Sequence, residues 1–204
     1  MTLKYQILLF YCYTKINNPK EFRESHHHFC IENNIKGRII ISDEGINGTI
    51  SGKVQDCKEY MNNIKKNKLF NNLEFKVDNY NSNTFRKLHV RLKNELVNSG
   101  IKNINVINES GKYIQPGEFK EILNNKPKDT YILDVRSNYE HEIGKFKNAI
   151  TLDLENFRFF SDKIEEIEKK IDKSNKIITY CTGGIKCEKA SALLISKGYK
   201  NVYQ

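Results

Sequence analysis

The sequence lacks the signals that would place a protein in a membrane or outside the cell. No apolar run approaches the roughly 18 residues that a membrane span needs, and the start of the chain leads into strand-like sequence without the pattern of a cleavable signal. Its five cysteines are odd in number and irregularly spaced, and no two of them form a CxxC pair. This pattern excludes a disulfide framework. We therefore expect a cytoplasmic protein with no membrane association.

Motifs that bind a flavin or a metal ion are also missing. Three consecutive histidines, 26–28, lie in a predicted helix. Neighbouring helical residues point about 100° apart, so these side chains cannot converge on one metal ion. His26 and Cys30 do share a helix face, but one pair supplies too few ligands for a zinc site. We predict no metal site, and no organic cofactor can be identified.

Positive charge is plentiful and unevenly distributed. The 204 residues carry a formal net charge of +9 and are numerous enough for two modest domains. Residues 1–108 contain 17 Lys and Arg against 10 Asp and Glu, a net charge of +7, whereas residues 109–204 contain 17 against 15, a net charge of +2. The N-terminal half is thus expected to face a polyanion, most naturally a nucleic acid. A generally basic, solvated surface is the alternative.

The N-terminal half has the pattern of a ferredoxin-like sandwich, which we assign to residues 1–93. Asn18 and Pro19 are a capping residue and a first-turn proline, and they predict a helix that ends near Asn34. The other predicted elements are strands at 5–13, 38–42, 49–51, 73–77 and 85–92, a turn at 43–48 and a helix at 54–66. This order predicts one antiparallel sheet with two helices on one face, an α+β fold.

The last of these strands concentrates basic side chains. Within 85–93, two of them alternate with Val90 and Leu92 and should project from one face, and two more lie at the entry to the strand. The predicted RNA-binding residues are Arg86, Lys87, Arg91 and Lys93.

The C-terminal part, 114–204, has a different pattern and follows a polar linker at 94–113. Strands are predicted at 131–135 and 176–180, and helices near 161–172 and at 187–197. Strands that alternate with helices indicate an α/β domain with a parallel sheet.

Cys181 lies between the strand at 176–180 and the helix that follows. The intervening loop consists of Thr182, Gly183, Gly184, Ile185, Lys186 and Cys187. Backbone N–H groups of this loop, the positive end of the helix and the charge of Lys186 all favour a thiolate and should lower the pKa of Cys181. We predict a reactive thiol. A buried, inert cysteine is the alternative.

The loop resembles the active-site loop of the rhodanese superfamily. Upstream, Asp134-Val-Arg136-Ser-Asn-Tyr-Glu140 is similar to the D-x-R-x-x-x-E signature of that superfamily, and 143–149 is similar to the turn that follows it. The resemblance implies that Asp134 and Arg136 brace the loop. A surface ion pair is the alternative. A rhodanese domain normally continues with a Gly-rich turn and a closing helix, so we expect the domain to be incomplete at its C-terminus.

Three segments in this order resemble one family more closely. They are Asp43-Glu-Gly-Ile-Asn-Gly-Thr49, the basic strand at 85–95 and the segment from Cys181 to Ser191. Together they are similar to the bacterial rhodanese-domain family of oxygen-dependent tRNA uridine hydroxylases, in which the usual loop arginine is here Lys186. The resemblance implies that wobble uridine becomes 5-hydroxyuridine, with molecular oxygen as co-substrate and Cys181 as the essential cysteine.

A mechanism follows from this resemblance. A thiolate that adds at uracil C6 gives C5 enolate character, so C5 can react with oxygen to form a peroxide that a reductant cleaves. The expected nucleophile is Cys181, the expected donor to the enolate is Arg136, and Cys187 is expected to have only a supporting role. Two other functions stay open at this point, a persulfide-carrying sulfurtransferase and a tRNA-binding module without turnover.

Overall fold

The computed structural model describes residues 3–204 and contains two sheets, each with its own hydrophobic core. One structural unit ends at Leu96, and a second runs from Val97 to Gln204. The domain boundaries drawn from the sequence, at 93 and 114, stay a prediction. Within the described residues, no helix is both long and apolar enough to cross a bilayer.

Residues 3–96, the described part of the first unit, form five strands and two α-helices. The elements are β1 (Tyr5–Tyr13), α1 (Pro19–Glu32), β2 (Lys36–Ser42), β3 (Gly45–Lys53), α2 (Val54–Ile64), a 3-10 turn (Lys68–Phe70), β4 (Lys76–Tyr80) and β5 (Leu88–Leu92). Asn18 accepts a hydrogen bond from the Glu21 backbone N–H at 3.4 Å and Pro19 opens the helix, so α1 begins where the sequence predicts. β4 begins three residues later than predicted.

The sheet of the first unit has the order β4-β1-β3-β2-β5. In the first four strands every neighbouring pair is antiparallel, as in the predicted ferredoxin-like arrangement. The expectation of a wholly antiparallel sheet is wrong for β5, which runs parallel to β2. The segment between β4 and β5 connects opposite edges of the sheet, and its Asn83 side chain donates to the Ser51 carbonyl at 3.4 Å. The chain thus reaches the free edge of β2 in a parallel direction.

The predicted turn at 43–48 is wrong in length, because only Asp43 and Glu44 separate β2 from β3. The glycines that suggested a longer turn are strand residues instead. A Cβ at Gly45, whose φ is +135°, would lie 2.0 Å from the Cys12 carbonyl oxygen, and a Cβ at Gly48 would lie 2.5 Å from the Phe10 ring. Close packing against β1 therefore explains the two glycines.

Both α-helices of the first unit cover one face of its sheet. Leu8, Ile39 and Ile50 from the strands are buried in one core with Cys30 of α1 and Tyr60 of α2. His26 also faces this core, and its Nε2 lies 2.9 Å from the Tyr60 hydroxyl. Among residues 3–96, no helix covers the opposite face of this sheet.

The second unit is an α/β fold. Its elements are α3 (Val106–Glu109), α4 (Pro116–Asn125), β6 (Thr130–Asp134), α5 (Asn138–Ile143), β7 (Ile150–Thr151), a 3-10 segment (Phe157–Lys163), α6 (Ile164–Lys170), β8 (Lys176–Tyr180), α7 (Ile185–Ser196) and β9 (Asn201–Tyr203). The strand order is β7-β6-β8-β9, and every neighbouring pair is parallel, which confirms the predicted parallel sheet.

The core of this unit fixes the position of the loop after β8. Ile177 and Ile178 bury the strand in the middle of the sheet, and Ala190, Leu193 and Leu194 bury the helix that follows. Loops at the carboxyl ends of parallel strands are where α/β proteins place their sites. The loop after β8 is therefore held at both ends by packed elements.

Candidate active site

Cys181 follows directly after β8 and opens a tight loop into α7. Gly184 caps α7 with a φ of +99°, a left-handed conformation that side-chain-bearing residues rarely adopt. This turn directs backbone N–H groups toward the Cys181 sulfur, and the N–H of Gly184 lies 3.1 Å from it. The Cys181 side chain is half-buried, so the sulfur is held within the loop and still reaches solvent.

The hydrogen bonds to the Cys181 sulfur stabilise its thiolate. The strongest contribution is the thiol of Cys187, which donates to this sulfur. Burial opposes ionisation, and the backbone N–H groups of Cys187, Gly184 and Lys186 favour it. Together they lower the pKa of Cys181 to about 6. A thiol with this pKa is mostly a thiolate at neutral pH, which is the nucleophilic form.

Cys187 is more deeply buried than Cys181, and its pKa is shifted in the opposite direction. It is 2% exposed and lies in the first turn of α7. Burial, the hydrogen bond that its thiol donates to Cys181 and the negative charge of Cys181 raise its pKa well above the usual value, against a weaker opposing contact with Thr179. The loop therefore pairs a thiolate with a protonated thiol.

Lys186 has a different role from the one the sequence predicts. Its Nζ lies 2.8 Å from a carboxylate oxygen of Glu140, and the contact that lowers the Cys181 pKa comes from the Lys186 backbone N–H. Glu140 also accepts hydrogen bonds from the Thr182 hydroxyl and from the Ser137 backbone N–H. Burial raises the pKa of Glu140, but the hydrogen bonds from Lys186, Thr182 and Ser137 outweigh burial and hold this pKa below its ordinary value. Glu140 thus ties α5 to both sides of the Cys181 loop.

Asp134 and Arg136 form a second bracing group at the end of β6. Asp134 is fully buried, and its carboxylate takes hydrogen bonds of 2.9 Å from Arg136 Nε and 2.8 Å from Arg136 Nη2, plus one from the Tyr180 hydroxyl. Arg136 Nη2 also donates to the Gly144 carbonyl at 2.7 Å. Burial alone would raise the pKa of Asp134, but these bonds lower it. The group joins the residue before Cys181 to β6 and to the turn after α5.

Two residues of this site carry no predicted role. Tyr180 precedes the cysteine and bonds to Asp134 through its hydroxyl, and Glu140 contacts the loop directly. Glu140 closes the D-x-R-x-x-x-E signature, which is the signal that could have identified it. No sequence motif identifies Tyr180 as a site residue, because a tyrosine at the end of a strand is common in any sheet.

The predicted RNA-binding residues lie on and beside β5 in the first unit, and all four are exposed. Arg91 is within the strand. Lys93 continues its ladder, since the Lys93 N–H donates to the Ile41 carbonyl at 2.9 Å. Arg86 and Lys87 precede the strand, which begins at Leu88 instead of residue 85.

The face of β5 that carries Arg91 is the face away from the core. Val90 is buried among core residues, so its neighbours His89 and Arg91 point the opposite way. His89 pairs in register with Arg38 of β2, and both are exposed. We call Arg38, His89, Arg91 and Lys93 the basic face.

Two family models together match most of the chain. Residues 5–96 match the UPF0176 acylphosphatase like domain, and residues 115–204 match the Rhodanese-like domain.

Similar proteins carry one recurring name. A protein of Cytophaga hutchinsonii named tRNA uridine(34) hydroxylase is 50% identical over 200 residues, which is 98% of this chain and 63% of that protein. A Staphylococcus haemolyticus protein of the same name is 43% identical over 203 residues, 99% of this chain and 62% of that protein. The chain thus spans somewhat less than two thirds of the length of these curated relatives.

Solved structures align with part of the chain. A single-domain sulfurtransferase of Saccharomyces cerevisiae aligns with 47% of this chain and 83% of its own, at 18% identity and a TM-score of 0.40. The Alr3790 protein of Anabaena sp. aligns with 42% of this chain and 62% of its own, at 24% identity and a TM-score of 0.37.

Proposed function

This chain joins a UPF0176 acylphosphatase-like domain to a rhodanese-like domain, and from that premise we propose that it hydroxylates the wobble uridine of tRNA at C5. Relatives named tRNA uridine(34) hydroxylase align with nearly all of its residues. The observation that carries the proposal is the half-buried Cys181 thiol, whose pKa of about 6 makes it a nucleophile at neutral pH. Molecular oxygen is the co-substrate, and the cytoplasm is the proposed setting.

Uracil needs a nucleophile for this reaction because its C5 does not react with oxygen unaided. The Cys181 thiolate adds at C6, and the electron pair of the C5–C6 bond moves to C5 and the O4 carbonyl as an enolate. Oxygen then bonds to C5 as a hydroperoxide. Because the reacting base must leave the anticodon stack to reach the loop, the enzyme is expected to act on an extruded or single-stranded uridine.

The bracing groups hold the nucleophile in place during this chemistry. Thr182 and Lys186 are held by Glu140, and Tyr180 is held by Asp134 and Arg136. Arg136 directs its Nε and Nη2 to Asp134 and Gly144, which favours a positioning role over the donor to the enolate that the sequence suggested. A fixed sulfur keeps its reaction geometry, and small displacements in an active site are costly in rate.

The basic face is the proposed site of tRNA docking. Its cations are exposed on the sheet face away from the helices of the first unit, and they form a row along neighbouring strands. Lysine and arginine side chains that contact phosphates supply affinity without sequence specificity. The first unit thereby supplies RNA affinity and the second supplies the thiol.

The direct test is mass spectrometry of nucleosides after incubation of the purified chain with in vitro transcribed tRNA, a thiol reductant and air. We expect a 5-hydroxyuridine peak at position 34, heavier when the reaction is run under ¹⁸O₂, and no peak with Cys181→Ser. Product that carries oxygen from water, or full product from Cys181→Ser, would reject the mechanism. Thiocyanate formation from thiosulfate and cyanide, without any hydroxylated nucleoside, would identify a sulfurtransferase instead.

A further inference from the structure

Two thiols meet in the active-site loop, although the sequence pattern gives Cys187 only a supporting role. The turn between them is closed at Gly184, whose N–H donates to the Cys181 sulfur at 3.1 Å and whose carbonyl accepts from the Cys187 N–H at 2.9 Å. Across this turn the Cys187 thiol donates a hydrogen bond to the Cys181 sulfur. The remaining cysteines, at positions 12, 30 and 57, all belong to the first unit. Within the second unit, Cys187 is thus the sulfur placed next to the nucleophile.

The proposed reaction requires electrons from outside the uridine. One oxygen atom enters the C5–H bond and the other leaves as water, which consumes two electrons and two protons. Two thiols that become one disulfide release the same two electrons and two protons. The balanced equation is uridine plus O₂ plus two Cys-SH, giving 5-hydroxyuridine, one disulfide and one water.

We propose that Cys187 is the internal reductant of this reaction and ends each turnover in a disulfide with Cys181, a role that rests on the function proposed above. The Cys187 sulfur attacks the distal oxygen of the C5 hydroperoxide, so the O–O bond breaks and Cys187 becomes a sulfenic acid. The C5 carbon keeps a hydroxyl group. Loss of the C5 proton then expels the Cys181 sulfur from C6 and releases 5-hydroxyuridine. The freed Cys181 thiolate attacks the sulfenic sulfur and expels water.

The arrangement of the loop suits this order of steps. The hydroperoxide is attached to C5, next to the carbon that carries the Cys181 sulfur, so its distal oxygen can reach a thiol that is within hydrogen-bond distance of that sulfur. Cys187 is 2% exposed, and burial protects it from solvent oxidants until a peroxide forms in the loop. Disulfide formation by attack of a thiolate on the oxidised partner is ordinary cysteine chemistry.

The charge on Cys181 also controls when Cys187 can react. In the resting loop, burial and the neighbouring thiolate together keep the Cys187 thiol protonated and unreactive. Once Cys181 is bonded to uracil C6, its negative charge is gone. The backbone N–H groups of the loop then no longer hydrogen-bond a thiolate at Cys181. Because that thiolate also raised the pKa of Cys187, its loss makes Cys187 easier to ionise. Addition of the substrate thus activates the reductant.

The test is a single turnover by the pre-reduced full chain with tRNA and air, without any added thiol. We expect about one 5-hydroxyuridine per enzyme and one new disulfide. Trypsin cleaves after Lys186 and would leave that disulfide joining the peptides 177–186 and 187–189. With Cys187→Ser we expect product to fall at least tenfold, and added dithiothreitol to restore it because an external thiol can reduce the hydroperoxide.

The outcomes separate this inference from the function on which it rests. Product from the wild-type chain without the disulfide, or undiminished single turnover by Cys187→Ser, overturns the role of Cys187 and leaves hydroxylation intact. If no product forms at all, treatment with one equivalent of hydrogen peroxide still tests the thiol pair. The same cross-linked peptides are expected, whereas sulfenic acid that persists at Cys181 beside reduced Cys187, trapped with dimedone, would overturn the inference.

Discussion

At the scale of single residues, the acidity of Cys181 depends most on one neighbour. The Cys187 thiol is the largest contributor to its lowered pKa, ahead of any one backbone N–H group. A serine at 187 keeps a donor, whereas an alanine removes it. The two substitutions therefore separate the hydrogen bond from the redox chemistry proposed for the same position.

The first prediction concerns that hydrogen bond. The rate of Cys181 alkylation by iodoacetamide should rise with pH to a plateau with a midpoint near 6, because only the thiolate reacts. Cys187→Ala should move the midpoint upward, and Cys187→Ser should move it less. Peptide mass spectrometry over a pH series gives both curves. A midpoint that stays near 6 in Cys187→Ala would show that the backbone alone sets the acidity.

The second prediction concerns the covalent step. A tRNA with 5-fluorouridine at position 34 should form a stable adduct with Cys181 after addition at C6, because fluorine cannot leave as a proton does. Denaturing gel electrophoresis would show a shifted band with the wild-type chain and none with Cys181→Ser. Cys187→Ser should still form the adduct, since it retains the nucleophile. Failure of the wild-type chain to shift, despite hydroxylation of normal tRNA, would exclude addition at C6.

At the scale of the elements, the loop after β8 depends on the ends of β6 and α5. Asp134 is buried and accepts hydrogen bonds from the partly buried Arg136 and Tyr180, so its loss leaves a cation and a hydroxyl without their shared acceptor. The contacts of Tyr180 with Arg136 and Asp134 join residues 44 and 46 positions apart in sequence, so periodicity alone could not reveal them.

The third prediction follows from this buried pair. Asp134→Ala should lower the free energy of unfolding of the second unit by about 3 kcal/mol, the usual cost of breaking a buried ion pair from one side. Asp43→Ala is the matched control, because its pair with Lys15 is exposed on both sides and should contribute less than about 1 kcal/mol. Urea titration followed by circular dichroism measures both. Equal effects would mean that the Asp134 group is not a brace.

The fourth prediction tests the basic face. Arg91→Ala with Lys93→Ala should weaken tRNA binding and flatten its salt dependence, by roughly 0.7–0.9 in the slope of log affinity against log salt for each lost phosphate contact. Lys58→Ala with Lys66→Ala removes the same charge from exposed sites on and after α2. Fluorescence anisotropy at several salt concentrations compares the two. If the control pair flattens the slope equally, net charge and not the basic face determines affinity.

The sequence was a good guide to the elements and a poor one to how they pair. β1 and β8 occur at their predicted bounds because a short apolar run is a local signal. The parallel pairing of β5 with β2 was not predicted, since it depends on where the preceding segment crosses the sheet. The segment that contains Gly45 and Gly48 was predicted as a turn, but these glycines are required by close packing against β1, which the local sequence does not show.

The active site likewise contains features that neighbouring residues indicate and contacts that only the folded chain shows. The thiolate at Cys181 was predictable because glycines, loop and helix start are adjacent in sequence. The partner of Lys186 was not, because Glu140 lies 46 residues away and reaches the loop only after β6 and β8 have paired.

At the scale of the whole molecule, acid should destabilise both units. His26 is buried and neutral with its pKa lowered to about 4 by burial, so the unfolded chain, with a value of 6.5, takes up the proton first. Stability from this group is complete above pH 6.5 and is lost as pH falls toward 4, by about 3 kcal/mol in total. The lowered pKa of Cys181 also stabilises the folded chain. This contribution is complete above the ordinary thiol pKa and is lost as pH falls through about 6.

The fifth prediction is therefore a chain that melts at a lower temperature at pH 5 than at pH 8. Differential scanning calorimetry measures the difference, and His26→Gln should reduce the slope between pH 6.5 and 4 because glutamine does not titrate. A variant with an unchanged slope would assign the acid sensitivity to other groups.

The central position of β1 has a consequence for biosynthesis. Its nine residues, YQILLFYCY, contain no charge, and they pair with β3 on one side and β4 on the other. A ribosome that adds about 5–20 residues per second completes β3 roughly 2–8 seconds after β1, and β4 later still. During that interval β1, an uncharged and aromatic segment of high β-propensity, has no partner strand. Such segments are prone to associate with other nascent chains or to bind chaperones.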